Sequence, residues 1–129
     1  MKAKLIDLGA IGGLAREIAL TDEFLLGRGE DCDLTLRDPE VSRHHCLIRI
    51  RPAESVASDL GSSNGTYLNG KRIVSQTTVR TGDELRLGQA RFLIDLGDDP
   101  DFRIPQEAFA DPLTATRQIK NINELKNEK

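Results

Sequence analysis

Between Lys4 and Leu96 polar and apolar residues alternate with a period of two, and turn-forming pairs break the pattern about every eight to twelve residues. Arg16-Glu17-Ile18-Ala19-Leu20 and Glu84-Leu85-Arg86-Leu87 alternate in this way, and Phe92, Ile94 and Leu96 fall on one face of a third run. From His45 to Arg51 the expected inward set is Cys46, Ile48 and Ile50, leaving Arg49 and Arg51 in water. Turn chemistry recurs at Gly12-Gly13, Gly27-Arg28-Gly29, Asp38-Pro39, Asn64-Gly65, Asn69-Gly70 and Gly82-Asp83. No segment before Asp98 carries a helical period. Strands that are apolar on one face bury it by stacking sheets, so the expected fold is all-β, an antiparallel β-sandwich.

The pattern changes after Leu96. Gly97-Asp98-Asp99-Pro100-Asp101 is an acidic breaker, with Pro105 and Pro112 close behind, and residues 98–113 are expected to form a linker. From Thr114 onward, Ile119, Ile122 and Leu125 share one helical face, which predicts a short, weakly amphipathic helix, marginal in isolation. The expected organisation is one domain over residues 1–97 and an acidic, Pro-containing tail over 98–129. The uncapped ending Asn127-Glu128-Lys129 reads as a point from which a longer protein continues.

A chain of 129 residues is long enough to bury a core as one domain, and its apolar runs are too short to span a bilayer. The first residues, Met1-Lys2-Ala3-Lys4-Leu5-Ile6-Asp7, do not read as an export signal. Cys32 and Cys46 are therefore expected to be reduced thiols in a cytoplasmic protein. A net charge of −3 argues against nucleic acid as the main partner. Aromatic content of 4% with no Trp leaves little for stacking on bases or sugars.

Three short clusters rich in hydrogen-bond donors sit where strands give way to loops: Gly27-Arg28, Ser42-Arg43-His44-His45 and Ser63-Asn64-Gly65-Thr66. Two arginines, hydroxyls and a Ser/Asn pair suit a doubly charged phosphate and the peptide beside it. In this order and spacing, followed by Thr81-Gly82-Asp83-Glu84-Leu85, they strongly resemble a forkhead-associated (FHA) domain over about residues 3–97. The resemblance implies a sandwich of about eleven strands whose loops, at one end, bind phosphothreonine peptides without catalysis or cofactor. It implies a threonine-phosphorylated partner, downstream of a Ser/Thr kinase, and neither nucleic acid nor membrane.

Carried over residue by residue, the resemblance puts Arg28, Ser42, Arg43 and Ser63 on the phosphate, and Asn64 on the peptide backbone. Gly27, His45, Gly65 and Thr66 would structure the loops, and His44 would be exposed at the rim. Glu40 is expected to discourage an acidic residue three places after the phosphothreonine, favouring an aliphatic one. Thr116, with Ile119 three positions on, is a candidate phosphorylation site for binding by the domain itself or by a neighbouring copy.

Other chemistries fit the residues less well. Ser42, His45 and Asp59 suggest a catalytic triad, but Ser42 lacks a Gly-framed elbow and an evident oxyanion hole. The run from Gly65 to Lys71 fits most of a nucleotide-binding P-loop, yet Arg72 stands where a Ser/Thr is required. Cys32, His44, His45 and Cys46 evoke zinc, but adjacent strand residues point to opposite faces, and no metal is expected. A protein–protein assembly domain indifferent to phosphorylation is the competing class.

Overall fold

The computed structural model describes residues 2–9 and 16–105. The described residues form eleven strands: β1 (Lys4–Asp7), β2 (Arg16–Ala19), β3 (Glu23–Gly27), β4 (Leu34–Thr35), β5 (Cys46–Arg49), β6 (Ser55–Asp59), β7 (Thr66–Leu68), β8 (Lys71–Arg72), β9 (Gln76–Val79), β10 (Glu84–Leu87) and β11 (Ala90–Asp95). They make a six-stranded sheet in the order β2-β1-β11-β10-β7-β8 and a five-stranded sheet in the order β4-β3-β5-β6-β9. The predicted helix and Thr116 lie outside the described residues. Among the described residues no helix is long and apolar enough to cross a membrane.

The core follows the period-two pattern. Leu5, Leu26, Ile48, Leu85, Leu87, Phe92 and Ile94 are buried between the sheets, as are Cys46 and Leu96, with Ile50 packed at the margin. Each large side chain so buried contributes about 1.5–3 kcal/mol. Arg49 and Arg51 point outward and meet Glu23 at 3.4 and 3.3 Å.

Two features depart from a plain antiparallel sandwich. Consecutive strands β3 and β4 pair in parallel, Leu26 opposite Leu34. The intervening loop doubles back, held by the Asp33 carboxylate accepting from the Leu25 N–H at 2.8 Å and by the Leu36 N–H donating to the Gly27 carbonyl. Second, β11 is buried on both faces: Leu93 joins Ile6 and Leu8 in an outer apolar cluster that Phe102 and Ile104 cover. The first residues of the expected linker are thus packed against the sheet.

Register fixes where the functional loops meet. Leu26 pairs with Cys46 and Cys46 with Asp59, so β3 ends, β5 begins and β6 ends side by side. Residues 28–33, 36–45 and 60–65 therefore emerge at one end of the sandwich.

Candidate functional site

The three donor-rich clusters, distant in sequence, are bonded into one rim. The Arg28 N–H donates to the Ser42 carbonyl (2.9 Å) and the Gly29 N–H to the Arg43 carbonyl (3.0 Å). Gly27 permits this approach: a Cβ there would stand 2.1 Å from the Arg43 carbonyl oxygen. Arg28 Nε donates to the Val41 carbonyl at 2.9 Å, which aims the exposed guanidinium and leaves its two terminal nitrogens available. Arg43 lines the same open cleft as Arg28, together with Gly29, Glu30 and Asp31.

His45 locks the loops from beneath. It is fully buried. Its Nδ1 accepts from the Ser42 N–H at 3.0 Å, and Nε2 lies 2.9 Å from the Gly65 carbonyl. A backbone N–H only donates, so Nδ1 is unprotonated and Nε2 carries the hydrogen given to Gly65. One ring thereby joins the second cluster to the third.

Ser42 Oγ accepts from the Ser63 N–H at 3.1 Å, so its own hydroxyl hydrogen stays available to a further acceptor. Asn64 Nδ2 donates to the Glu40 carbonyl at 2.9 Å, which orients the amide and leaves Oδ1 and one N–H for a ligand. Gly65 has φ of +92°, a conformation that favours glycine. Thr66 is fully buried, and its hydroxyl donates to Asp59 Oδ1 at 2.8 Å.

Sequence reasoning missed what Asp59 does. Its carboxylate accepts from the hydroxyls of Ser62 (2.6 Å) and Thr66 and from the N–H groups of Gly61 and Ser62 (both 3.2 Å). Burial pushes this carboxyl up, but those donors outweigh it and hold Asp59 below the ordinary carboxylate range. Asp38 plays the same part in the neighbouring loop, accepting from the N–H groups of Glu40 (2.9 Å) and Gln89 (2.8 Å), which lower its pKa. The signal was present as Asp-x-x-Ser and Asp-Pro turn chemistry, which marks loops tied down by their own side chains.

The triad arrangement does not form. Both nitrogens of His45 are spent on Ser42 and Gly65 backbone groups, and Asp59 serves Ser62 and Thr66. Cys46 lies in the core, where burial pushes its thiol up to about 12. Among the described residues, Asp31, Cys32 and His44 do gather their ligand atoms within 4.8 Å. Those atoms already have partners: His44 Nε2 lies 2.8 Å from Asp31 Oδ2, and Cys32 Sγ donates to the Arg43 carbonyl at 3.2 Å. The P-loop likeness dissolves as well, because β8 and β9 follow instead of a helix.

A broad depression at the opposite end, lined by Arg51, Glu54, Thr78 and Arg80, holds none of the predicted residues.

Comparison with known proteins agrees with this geometry. The FHA domain family model matches residues 24–88. The FHA domain-containing protein FhaB of Mycobacterium tuberculosis is 36% identical over 81 residues, 63% of this chain and 52% of FhaB. The glycogen accumulation regulator GarA of Mycolicibacterium smegmatis is 37% identical over 75 residues, 58% of this chain and 47% of GarA. The chain thus spans about half the length of these curated relatives. Mycobacterium tuberculosis EmbR, solved with a low-affinity phosphopeptide, superposes with a TM-score of 0.67 at 32% identity, covering 74% of this chain and 24% of EmbR. A structure from work on phosphothreonine-dependent FHA domain interactions superposes at 0.64 and 30% identity, covering 74% of this chain and 96% of that one. By sequence match and by architecture, this chain belongs to the FHA domain family.

Proposed function

We propose that this domain is a phosphothreonine-dependent protein-binding module that makes and breaks no covalent bond. The observation that carries the reading is the state of the rim donors. The terminal nitrogens of Arg28, the Ser42 hydroxyl hydrogen and the free half of the Asn64 amide are held in place by protein bonds made through their other atoms. Such preorganised donors match a dianionic group with three acceptor oxygens and the extended backbone beside it. The phosphopeptide bound to EmbR, to which this chain is similar, supports the same reading.

In this reading Arg28, Ser42, Arg43 and Ser63 receive the phosphate and Asn64 the ligand backbone, while Gly27, His45, Gly65 and Thr66 hold the loops. About four donors at roughly 1.5–3 kcal/mol each, less the cost of ordering the peptide, correspond to micromolar affinity. The protein acts in the cytoplasm on a partner phosphorylated by a Ser/Thr kinase. The domain proper is assigned to residues 1–97 and an acidic, Pro-containing tail to 98–129, of which Phe102 and Ile104 pack on the outer sheet. Phospho-Thr116 is a candidate ligand.

Calorimetry against an oriented phosphothreonine peptide library tests the proposal. Selected peptides are expected to bind at micromolar Kd and to lose binding on dephosphorylation or on Thr→Glu replacement. Ser42→Ala and Asn64→Ala are each expected to weaken binding at least tenfold. Folded variants with full affinity, or equal binding of the unphosphorylated peptide, would overturn it.

A further inference from the structure

The outer face of the six-stranded sheet carries a cross-strand row that the phosphate rim does not use. Tyr67 of β7 pairs with Arg72 of β8 and with Arg86 of β10, and Arg86 pairs with Arg91 of β11. Directly paired residues share a face. The inner face takes Thr66, Leu85, Leu87 and Phe92, so Arg72, Tyr67, Arg86 and Arg91 point away from the core.

This row begins at the phosphate rim. The Arg72 side chain lies across Gly65, where a Cβ would meet its Nε at 2.6 Å, and Gly65 follows Asn64 directly. Arg86 stacks on Tyr67, its guanidinium carbon 4.2 Å from the ring centroid, and is tethered by a long contact from Nη1 to the Gly88 carbonyl (3.4 Å). Among the described residues Arg72 meets no carboxylate, and Arg86 has no ion pair. The nearby acids are otherwise engaged: Glu84 with Arg91 at 3.0 Å, and Glu40 with the Gln89 amide at 3.2 Å. Among the described residues two guanidinium groups flanking Tyr67, one of them stacked on its ring, are thus left without anions, on a protein whose net charge is −3.

We infer that the Arg72–Tyr67–Arg86 row, which adjoins Asn64 through Gly65, selects acidic residues in the flank of the bound phosphothreonine segment. The inference rests on the phosphopeptide reading and names the class of ligand within it. From β8 to β10 the row crosses two strand spacings, about 10 Å, which about three residues of extended peptide span. A carboxylate beside a stacked guanidinium gains both a bidentate partner and a fixed geometry. The site of Glu40 remains unfavourable to acid, so the preference belongs to the flank that passes Arg72 and not to every position.

The test is fluorescence anisotropy with three peptides sharing one phosphothreonine core: neutral flanks, three Asp/Glu residues before the core, and three after it. Wild type is expected to bind one acidic peptide about tenfold tighter than the neutral one, with the gain shrinking as salt rises from 50 to 500 mM. Arg72→Ala is expected to erase most of that gain and to leave the neutral peptide's Kd unchanged. Arg72→Glu is expected to turn the gain into a penalty, and circular dichroism verifies the fold of each variant. Equal affinity for all three peptides in wild type, or a gain that survives both substitutions, overturns the inference while leaving the phosphopeptide reading intact. Absence of binding by every phosphorylated peptide overturns both.

Discussion

The rim and the layer beneath it are built from similar residue types and spend them differently. His45 and Asp59, in the lower layer, commit their polar atoms to protein partners. Arg28, Ser42 and Asn64 each use part of their bonding capacity on the protein and keep the rest facing outward. Order is generated below and offered above. The separation makes a strong claim: substitutions in the lower layer should act first on stability, and those in the rim first on affinity.

The largest effect is expected at His45. His45→Ala removes a fully buried ring and leaves the Ser42 N–H and the Gly65 carbonyl without partners. Unmet buried groups cost about 1–3 kcal/mol each, and a cavity adds to that. Urea unfolding is expected to show a loss of about 3–5 kcal/mol. A variant as stable as wild type would break the assignment of His45 to the lower layer.

Arg28→Ala is the converse. In the proposed reading it removes at least two charge-assisted bonds to phosphate, about 3 kcal/mol together, so affinity is expected to fall roughly 100-fold. The unfolding free energy should change by about 1 kcal/mol or less, since only the bond from Nε to the Val41 carbonyl is lost from the fold. Calorimetry and urea unfolding on the same sample decide between the two readouts. A stability loss matching the affinity loss would erase the distinction between layers.

This division also explains what was legible in the sequence. The β-sandwich was readable because strands with one face on the core alternate, and β5 and β10 do so clearly, whereas β11 buries Phe92, Leu93 and Ile94 in a row. The rim residues were readable because Arg28, Ser42-Arg43 and Ser63-Asn64 are polar clusters at strand ends. The hydrogen-bond partners were not readable, because they are backbone atoms: the Val41, Glu40 and Gly65 carbonyls have no letter of their own. The scaffolding role of Asp59 is hidden in sequence because its partners in space, Ser62 and Thr66, look like ordinary turn residues. The packing of Phe102 and Ile104 was hidden for another reason. Two apolar residues among prolines and acids carry no period, and only the outer apolar cluster of Ile6, Leu8 and Leu93 gives them a place to go.

Asp59 sharpens the comparison through pH. Its folded-state pKa lies below the ordinary carboxylate value, so the unfolded chain binds the proton more readily. The contribution is complete above the unfolded value near 4 and is lost as pH falls through the folded one. Asp59→Asn is expected to lose about 1–2 kcal/mol at pH 7, by weakening charge-assisted bonds from Ser62 and Thr66. Wild type and variant should converge in stability as the medium becomes acidic. A gap that stays constant from neutral pH to pH 3 would show that the charge on Asp59 is not what holds the loop.

The smallest effect provides the cleanest separation. Ser63 is tied to Ser42 through its backbone N–H, not through its hydroxyl. Ser63→Ala keeps that N–H, and the residue is exposed, so the fold should lose nothing measurable by urea unfolding. The hydroxyl is the group that would reach phosphate, and one such bond at a solvent-exposed rim is worth about 1 kcal/mol, roughly fivefold in Kd. The variant therefore removes one outward donor while every bond beneath it is retained. If affinity is unchanged, Ser63 belongs to the scaffold alone, and the phosphate is held by Arg28, Ser42 and Arg43 without it. If stability falls together with affinity, the hydroxyl has a partner within the loops, and the boundary between the two layers runs above Ser63 rather than below it.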